Sequence, residues 1–166
     1  MEFHTQLAAL RERSPNPFPA GSAEENAAID RFKRFFADFS PNKIATLLDQ
    51  TYAPDTWFND TLKTVRGREA LRDYLKHSAD AVESCTVVVD DVTRTAAGEY
   101  LARWTMTIRF KRFKKGQDTV TIGVSLLRFD PQGLVALHQD FWDATQGLFD
   151  HIPLIGWLIG KVKKRL

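Results

Sequence analysis

Cysteine and long apolar runs are nearly absent from the sequence, and each shortage excludes a class of protein. Its 166 residues include one cysteine, Cys85, so no disulfide can form within the chain and a reducing compartment is expected. No run of about 18 apolar residues is present that could span a bilayer. No apolar stretch follows Met1, so we expect no secretory signal. These observations favour a cytoplasmic protein.

Clusters that hold metals or phosphates are also missing. No His or Cys residues stand at metal-ligand spacing, and no glycine-rich loop could surround a phosphate. We therefore expect no metal and no cofactor. Hydrophobic residues make up 43% and charged residues 27%, which is typical of a globular domain rather than a disordered chain.

Basic residues are concentrated in two segments, although the formal net charge is only +2. Residues 109–115 carry five of them and residues 161–165 carry four. The segments are either solvated or in weak contact with an anionic membrane. Nucleic acid is not an expected partner, because no recognised binding motif accompanies the charge.

The chain divides into an arm, residues 1–21, a domain, residues 22–147, and an apolar and basic tail, residues 148–166. In the arm, a short helix from Thr5 to Arg13 is followed by helix-breaking prolines. The domain begins with a capping box at Ser22 and Glu25, before a helical apolar stripe at 28–39 and a second short helix that starts at Pro41. A short strand at 52–59 and a helix at about 68–82 follow. The pattern then predicts strands at 86–93, 100–113, 119–129 and 134–142. Helices followed by a strand meander indicate an α+β fold, with the helices on one sheet face.

Asp140 is the residue least like its neighbours, because it interrupts the apolar strand 134–142. A buried carboxylate must be paired or protonated. Asp140 is therefore either a structural residue held by a partner or a pocket carboxyl suited to acid–base chemistry. His138 shares its strand face and is either the acid–base partner of Asp140 or a histidine of the core.

Both faces of the last two strands are largely apolar. A sheet with one wet face would alternate more cleanly between apolar and polar residues. One face is therefore predicted to cover helices and a cavity, and the other to meet a second subunit. This predicts a homodimer formed through the sheet.

Three motifs in order carry a family resemblance: residues 52–60 (YAPDTWFND), residues 67–71 (GREAL) and residues 128–143, which end in HQDFWD. Together they resemble the nuclear transport factor 2-like superfamily, particularly its SnoaL-like polyketide cyclase and limonene epoxide hydrolase branches, over roughly residues 22–150. The resemblance implies a cone-shaped α+β roll, in which N-terminal helices pack on a curved, mostly antiparallel sheet around one hydrophobic pocket. Its members include both enzymes and non-catalytic binders.

The resemblance also implies roles for individual residues. Asp140 matches the last-strand acid–base aspartate, and Arg103 matches the arginine that bridges the hydrolase's two aspartates. Thr105 stands where the second aspartate would be, and Phe58 and Asp60 replace the hydrolase's tyrosine and asparagine. Strand alternation alone would leave Arg103 in solvent, whereas the resemblance puts Arg103 and Thr105 in the pocket.

The leading functional hypothesis is a protein that binds an apolar small molecule such as a polyketide, terpenoid, steroid or lipid-like ligand. As an enzyme it would be a cofactor-free isomerase, cyclase or hydrolase with Asp140 and Arg103 as catalytic residues. Pocket residues would be Trp57, Phe58, Asp60, Thr105, His138 and Trp142. The alternative is a non-catalytic binding or accessory module. A further possibility is a peripheral membrane protein, because the tail has Trp157 ahead of its basic end, as interfacial helices do, unless it docks on its own domain.

Overall fold

The structure, a computed structural model, describes residues 2–13, 18–112 and 116–165, with only the backbone of Pro153. Prolines 15 and 17 of the predicted arm, Phe113 at the predicted strand end, and the basic residues Lys114 and Lys115 lie outside these ranges. The elements are α1 (Glu2–Arg13), α2 (Ala23–Phe36), α3 (Pro41–Thr51), β1 (Tyr52–Asn59), β2 (Thr64–Arg66), α4 (Arg68–Asp80), β3 (Val82–Arg94), β4 (Tyr100–Phe110), β5 (Asp118–Phe129), β6 (Val135–Trp142), α5 (Ala144–Gly147), a 3₁₀ turn (Phe149–His151) and α6 (Pro153–Lys163).

Side-chain caps fix where α2 and α3 begin. The Ser22 hydroxyl accepts the Glu25 N–H at 3.2 Å, and the Glu25 carboxylate accepts the Gly21 N–H at 2.5 Å. The Ser22 bond pairs an amide that the first helical turn leaves free, whereas Glu25 reaches back to the residue before the cap instead of to the Ser22 N–H that a full capping box would use. Ser40 caps α3 in the same way, with Pro41 in the first turn.

One six-stranded sheet, in the order β2-β1-β6-β5-β4-β3, organises the described residues. Neighbouring strands are antiparallel except for β1 and β6, which run parallel. The α+β fold is confirmed, and the four long strands lie where alternation predicts them. Strand β3 begins earlier than predicted, at Val82, β4 ends at Phe110, and the short β2 has no predicted counterpart.

Helices α2, α3 and α4 cover the inner face of the sheet. Phe32 and Phe35 of α2, Leu48 of α3 and Leu71 of α4 are almost fully buried there. Burying each such side chain contributes about 1.5–3 kcal/mol to folding. This core holds the helices against the sheet and leaves a cavity at one end.

Helix α1, in the predicted arm, packs on the outer face of the sheet, opposite α2, α3 and α4. Leu7 contacts Trp57 and Leu137 in a small buried cluster. Arg11 donates two hydrogen bonds to Glu99, at 2.8 and 2.9 Å, and Glu99 also pairs with buried Arg128 at 2.8 Å. This face also carries exposed apolar side chains among polar ones, namely Val88, Leu101, Val120, Ile122 and Phe141.

The tail consists of α5, the 3₁₀ turn and α6, which begins at Pro153. Asp143 caps α5 by accepting the N–H groups of Thr145 and Gln146, both at 3.0 Å. Within the described ranges, none of the helices combines the length and hydropathy needed to cross a bilayer.

Candidate functional site

A cavity of about 280 Å³ lies between the inner face of the sheet and helices α2 and α4. Its wall is largely apolar, with Phe36 and Phe39 on the helical side and Trp104 and Met106 on the sheet side. A small apolar space with a few polar groups is typical of ligand-binding sites. The polar groups here belong mainly to β6 and to the β1–β2 turn.

Strand β6 brings His138, Asp140 and Trp142 to the cavity, because alternate residues of a strand share one face. In the pairing of β5 with β6, Ser125 lies directly opposite Asp140. Oδ1 of Asp140 accepts hydrogen bonds from the Ser125 hydroxyl, at 2.5 Å, and from Nε2 of His138, at 2.7 Å. In the described part of the chain, Oδ2 takes no hydrogen bond.

His138 is enclosed by aromatic rings and is 1% exposed. Ring centroids of Tyr52, Phe32, Phe36 and Phe58 lie 4.9–6.0 Å from its own. Its Nδ1 lies 2.7 Å from the Tyr52 hydroxyl, and its Nε2 lies 2.7 Å from Asp140. Both ring nitrogens therefore have partners, on opposite sides of the ring.

Tyr52 determines which nitrogen of His138 carries the proton. Burial and the nearby charge of Asp140 raise the pKa of the Tyr52 hydroxyl well above its usual value, so the phenol stays protonated. No second acceptor for this proton exists among the described residues, so the hydroxyl donates to Nδ1 of His138. The histidine proton then lies on Nε2 and points at Asp140.

Ser125 and Trp104 extend the network along the cavity wall. The Trp104 indole N–H donates to the Ser125 hydroxyl at 2.9 Å, which directs the Ser125 proton to Asp140. The indole fits because Gly123 lies opposite Trp104 in the β4–β5 pair. A Cβ at Gly123 would lie 2.4 Å from the indole ring.

Asp60 and Tyr74 form a second polar group of the cavity. Oδ1 of Asp60 accepts the N–H groups of Leu62 and Lys63 at 3.0 and 2.9 Å, and Oδ2 accepts the Tyr74 hydroxyl. Burial and this bond raise the pKa of Tyr74 above its usual value. The Asp60 carbonyl also accepts the Trp142 indole N–H at 2.7 Å. Asp60 thus holds the β1–β2 turn against the cavity.

The lone cysteine also lines the cavity. Burial raises the pKa of the Cys85 thiol to about 12, so the group is an uncharged thiol near neutral pH. Such a thiol is a poor nucleophile. In the ranges that the structure describes, no group of three or more His, Cys, Asp or Glu side chains could hold a metal ion.

Five of the predicted site residues line the cavity, namely Phe58, Asp60, His138, Asp140 and Trp142. The placement of Arg103 and Thr105 in the pocket, which the resemblance implies, is wrong. Arg103 is exposed on the outer face, and Thr105 on the same face hydrogen-bonds Asp90 at 3.2 Å. The inner face of β4 is occupied by the apolar residues that alternate with them along the strand, such as Trp104 and Met106.

Trp57 is a second correction. It lies on the outer face against α1, where its ring centroid is 5.9 Å from that of Phe3 and its N–H donates to Glu2 at 3.2 Å. Strand β1 is buried on both faces near Trp57 and Phe58, so alternation carries no signal there. Conversely, the sequence did not predict Tyr52, Trp104 and Ser125 as residues of the site.

A profile of the SnoaL-like domain family matches residues 32–138, which is more than half of the chain. The chain belongs to the SnoaL-like domain family. A comparison with functionally curated proteins found no match. The fold of this SnoaL-like protein recurs in solved structures of low sequence identity, which show the fold alone.

A protein from Jannaschia sp. CCS1, described as a SnoaL-like polyketide cyclase, is 17% identical, with a TM-score of 0.63, covering 81% of this chain and 97% of that one. An epoxide hydrolase from M. tuberculosis, described as LEH-like, is 13% identical, with a TM-score of 0.60 and coverage of 84% and 98%. A protein of ketosteroid isomerase-like fold from Catenulispora acidiphila, in complex with trimethylamine, is 16% identical, with a TM-score of 0.62 and coverage of 75% and 91%. The SnoaL-like fold is thus shared by proteins described as cyclases and hydrolases.

Proposed function

We propose that this SnoaL-like protein binds an apolar small molecule in the cavity and uses Asp140 to accept a proton from it. The observation that carries the proposal is the pair of hydrogen bonds from Ser125 and His138 to Oδ1 of Asp140. Two donors on Oδ1 fix the orientation of the carboxylate and leave Oδ2 to accept a proton from a ligand.

Tyr52 and His138 act as positioning residues in this proposal. The Tyr52 proton keeps Nδ1 of His138 unprotonated, so that Nε2 donates to Asp140 throughout the reaction. His138 and Ser125 are almost fully buried, which strengthens their hydrogen bonds to Asp140. Reactions that begin with proton removal from a carbon or hydroxyl, such as isomerisation, cyclisation or dehydration, fit this arrangement without a cofactor.

Deuterium exchange tests the proposal without knowledge of the natural substrate. Apolar ketones of steroid and terpenoid type are incubated with the protein in deuterated water, and deuterium incorporation next to the carbonyl is measured by mass spectrometry. We expect exchange with the wild type and at least a hundredfold less with Asp140→Asn. Asp90→Asn on the outer face is the matched control and should exchange normally. Equal exchange by the wild type and Asp140→Asn would refute a basic role for Asp140.

A non-catalytic binder of an apolar amine is the second candidate function. It is favoured by the combination of the Asp140 carboxylate with the aromatic side chains of Phe36, Phe39 and Trp104 in one cavity. Carboxylates and aromatic rings both attract ammonium groups. The relative of ketosteroid isomerase-like fold holds trimethylamine. Binding of trimethylamine that is lost in Asp140→Asn, without deuterium exchange on any ketone, would favour this candidate.

We also propose that the outer sheet face forms a homodimer. Ile122 is 67% exposed, Val88 61% and Val120 54%; Val88 belongs to β3 and the other two to β5, on either side of β4 and on the same face of the sheet. Exposed apolar patches of this kind mark protein interfaces. A twofold contact would cover the same residues on both subunits.

A further inference from the structure

Helix α6 presents an apolar face that the other described residues leave exposed. Leu154 is 82% exposed, Trp157 61% and Leu158 57%. At spacings of three and four residues, these side chains lie on one side of the helix. Ile155 and Val162, which flank them, are also exposed.

Contacts on the opposite side of α6 fix the direction in which this face points. The helix passes so close to the 3₁₀ turn that a Cβ at Gly156 would lie 2.5 Å from the Asp150 carbonyl oxygen. Lys163 also pairs with Asp150 at 3.2 Å. Since α6 lies against the 3₁₀ turn on this side, its apolar face points away from the domain.

Basic side chains lie at the C-terminal end of this apolar face. Residues 148–165 contain four basic residues against a single acidic one, Asp150. The Lys161 ammonium lies 4.1 Å from the centroid of the Trp157 ring. Lys111 and Arg112 are exposed at the end of β4, and Phe110 beside them lies 6.3 Å, between ring centroids, from His151 of the 3₁₀ turn.

We propose that α6, with the basic residues around it, binds the surface of an anionic lipid bilayer. An interfacial helix buries an apolar face just below the headgroups while its basic residues contact anionic lipid. Trp157 beside Lys161 matches the preference of tryptophan for this boundary. A second copy of the chain fits less well, because its α6 would carry the same positive charge.

The position of α6 gives this contact a consequence for the cavity. Phe110 and Leu148 line the cavity and lie next to the 3₁₀ turn that precedes α6. The helix that would contact the bilayer is therefore joined to this end of the cavity through the 3₁₀ turn.

Vesicle flotation of the full chain tests the proposal. The wild type should float with vesicles of phosphatidylcholine and phosphatidylserine, and much less with phosphatidylcholine alone or in high salt. Lys161→Gln with Lys164→Gln should lower the partition coefficient roughly thirtyfold. Trp157→Ser with Leu158→Ser should abolish flotation. The matched control is Arg34→Gln with Lys43→Gln, which removes two exposed charges from α2 and α3 and should float like the wild type.

Circular dichroism confirms that each variant is folded before flotation is compared. Absence of wild-type flotation on the phosphatidylserine vesicles would overturn the proposal, as would equal flotation on both vesicle types. An equal loss in the Arg34 and Lys43 control would also overturn it. If the Trp157 and Leu158 variant changes the oligomeric mass but floats normally, a second copy covers the helix and the proposal is wrong.

Discussion

The Tyr52 hydroxyl lies 2.7 Å from Nδ1 of His138, and both side chains are buried beneath the cavity. Tyr52 begins β1 and His138 lies in β6, so the contact joins two distant parts of the chain. Through it, a residue that lies outside the cavity wall determines the direction of a hydrogen bond inside the cavity.

Replacing Tyr52 with Phe removes the proton that fixes the His138 tautomer. Nδ1 then loses its partner, which should destabilise the protein by about 1–3 kcal/mol. Nitrogen chemical shifts of His138, measured by NMR, should show a loss of the pure Nε2–H form. Tyr74→Phe is the control, because Tyr74 bonds Asp60 instead. An unchanged tautomer in Tyr52→Phe would contradict the assignment.

Gly123→Ala should disturb the cavity wall through Trp104. The added methyl would lie 2.4 Å from the indole ring, so the ring must shift and its bond to Ser125 must weaken. Overpacking of this kind costs about 1–3 kcal/mol. Urea unfolding gives the stability change, and near-ultraviolet circular dichroism reports the tryptophan. Gly160→Ala, with nothing within 4 Å of the new Cβ, should cost no stability.

Stability should fall at acid pH through Glu99. Burial alone would raise the pKa of Glu99, but hydrogen bonds from Arg11 and the charge of Arg128 hold it below its usual value. A lowered folded-state pKa stabilises the protein above the unfolded-state pKa of about 4.3, and this stability is lost as the pH falls through the folded-state value.

The matched variants are Glu99→Gln and Glu24→Gln, the latter on the exposed surface of α2. Near neutral pH, Glu99→Gln should lose roughly 3 kcal/mol, because it takes the carboxylate from buried Arg128. Urea unfolding as a function of pH should show this deficit shrinking below about pH 4. A deficit that stays constant with pH would contradict the assignment to Glu99.

Ile122→Lys should dissociate the proposed homodimer. A lysine at the centre of an apolar interface would be buried without a partner or would keep the subunits apart. Light scattering after size-exclusion chromatography should give half the wild-type mass. Leu154→Lys on α6 is the control and should leave the mass unchanged. A wild type that is already monomeric would rule the interface out.

Strand alternation correctly predicts which residues of β6 and β4 share a face of the sheet. No more than this could be predicted about the site from the sequence. The pattern separates His138 and Asp140 from Leu137, and it leaves Arg103 outside. Carrying the family resemblance onto Arg103 reverses the face, because a shift of one residue along a strand moves a side chain to the other side. The resemblance therefore places Arg103 of β4 in the pocket, although this side chain lies on the outer face.

The partners of Asp140 are beyond the reach of sequence patterns. Ser125 is one of several polar residues in β5, and Tyr52 stands at the junction of α3 with β1. Neither carries a local signal, because their role depends on which strands are neighbours in the sheet. Trp57 is misplaced for a related reason, since β1 is covered on both faces.

The parallel pairing of β1 with β6 makes completion of the cavity a late step in folding. A parallel pair cannot form as a simple hairpin, so β1 must wait until the intervening chain has been arranged. Closing such a long loop has a large entropic cost, which slows folding. The hydrogen bond between Tyr52 and His138 should thus be among the last to form during folding. A protein with an intact cavity has therefore already assembled its entire sheet.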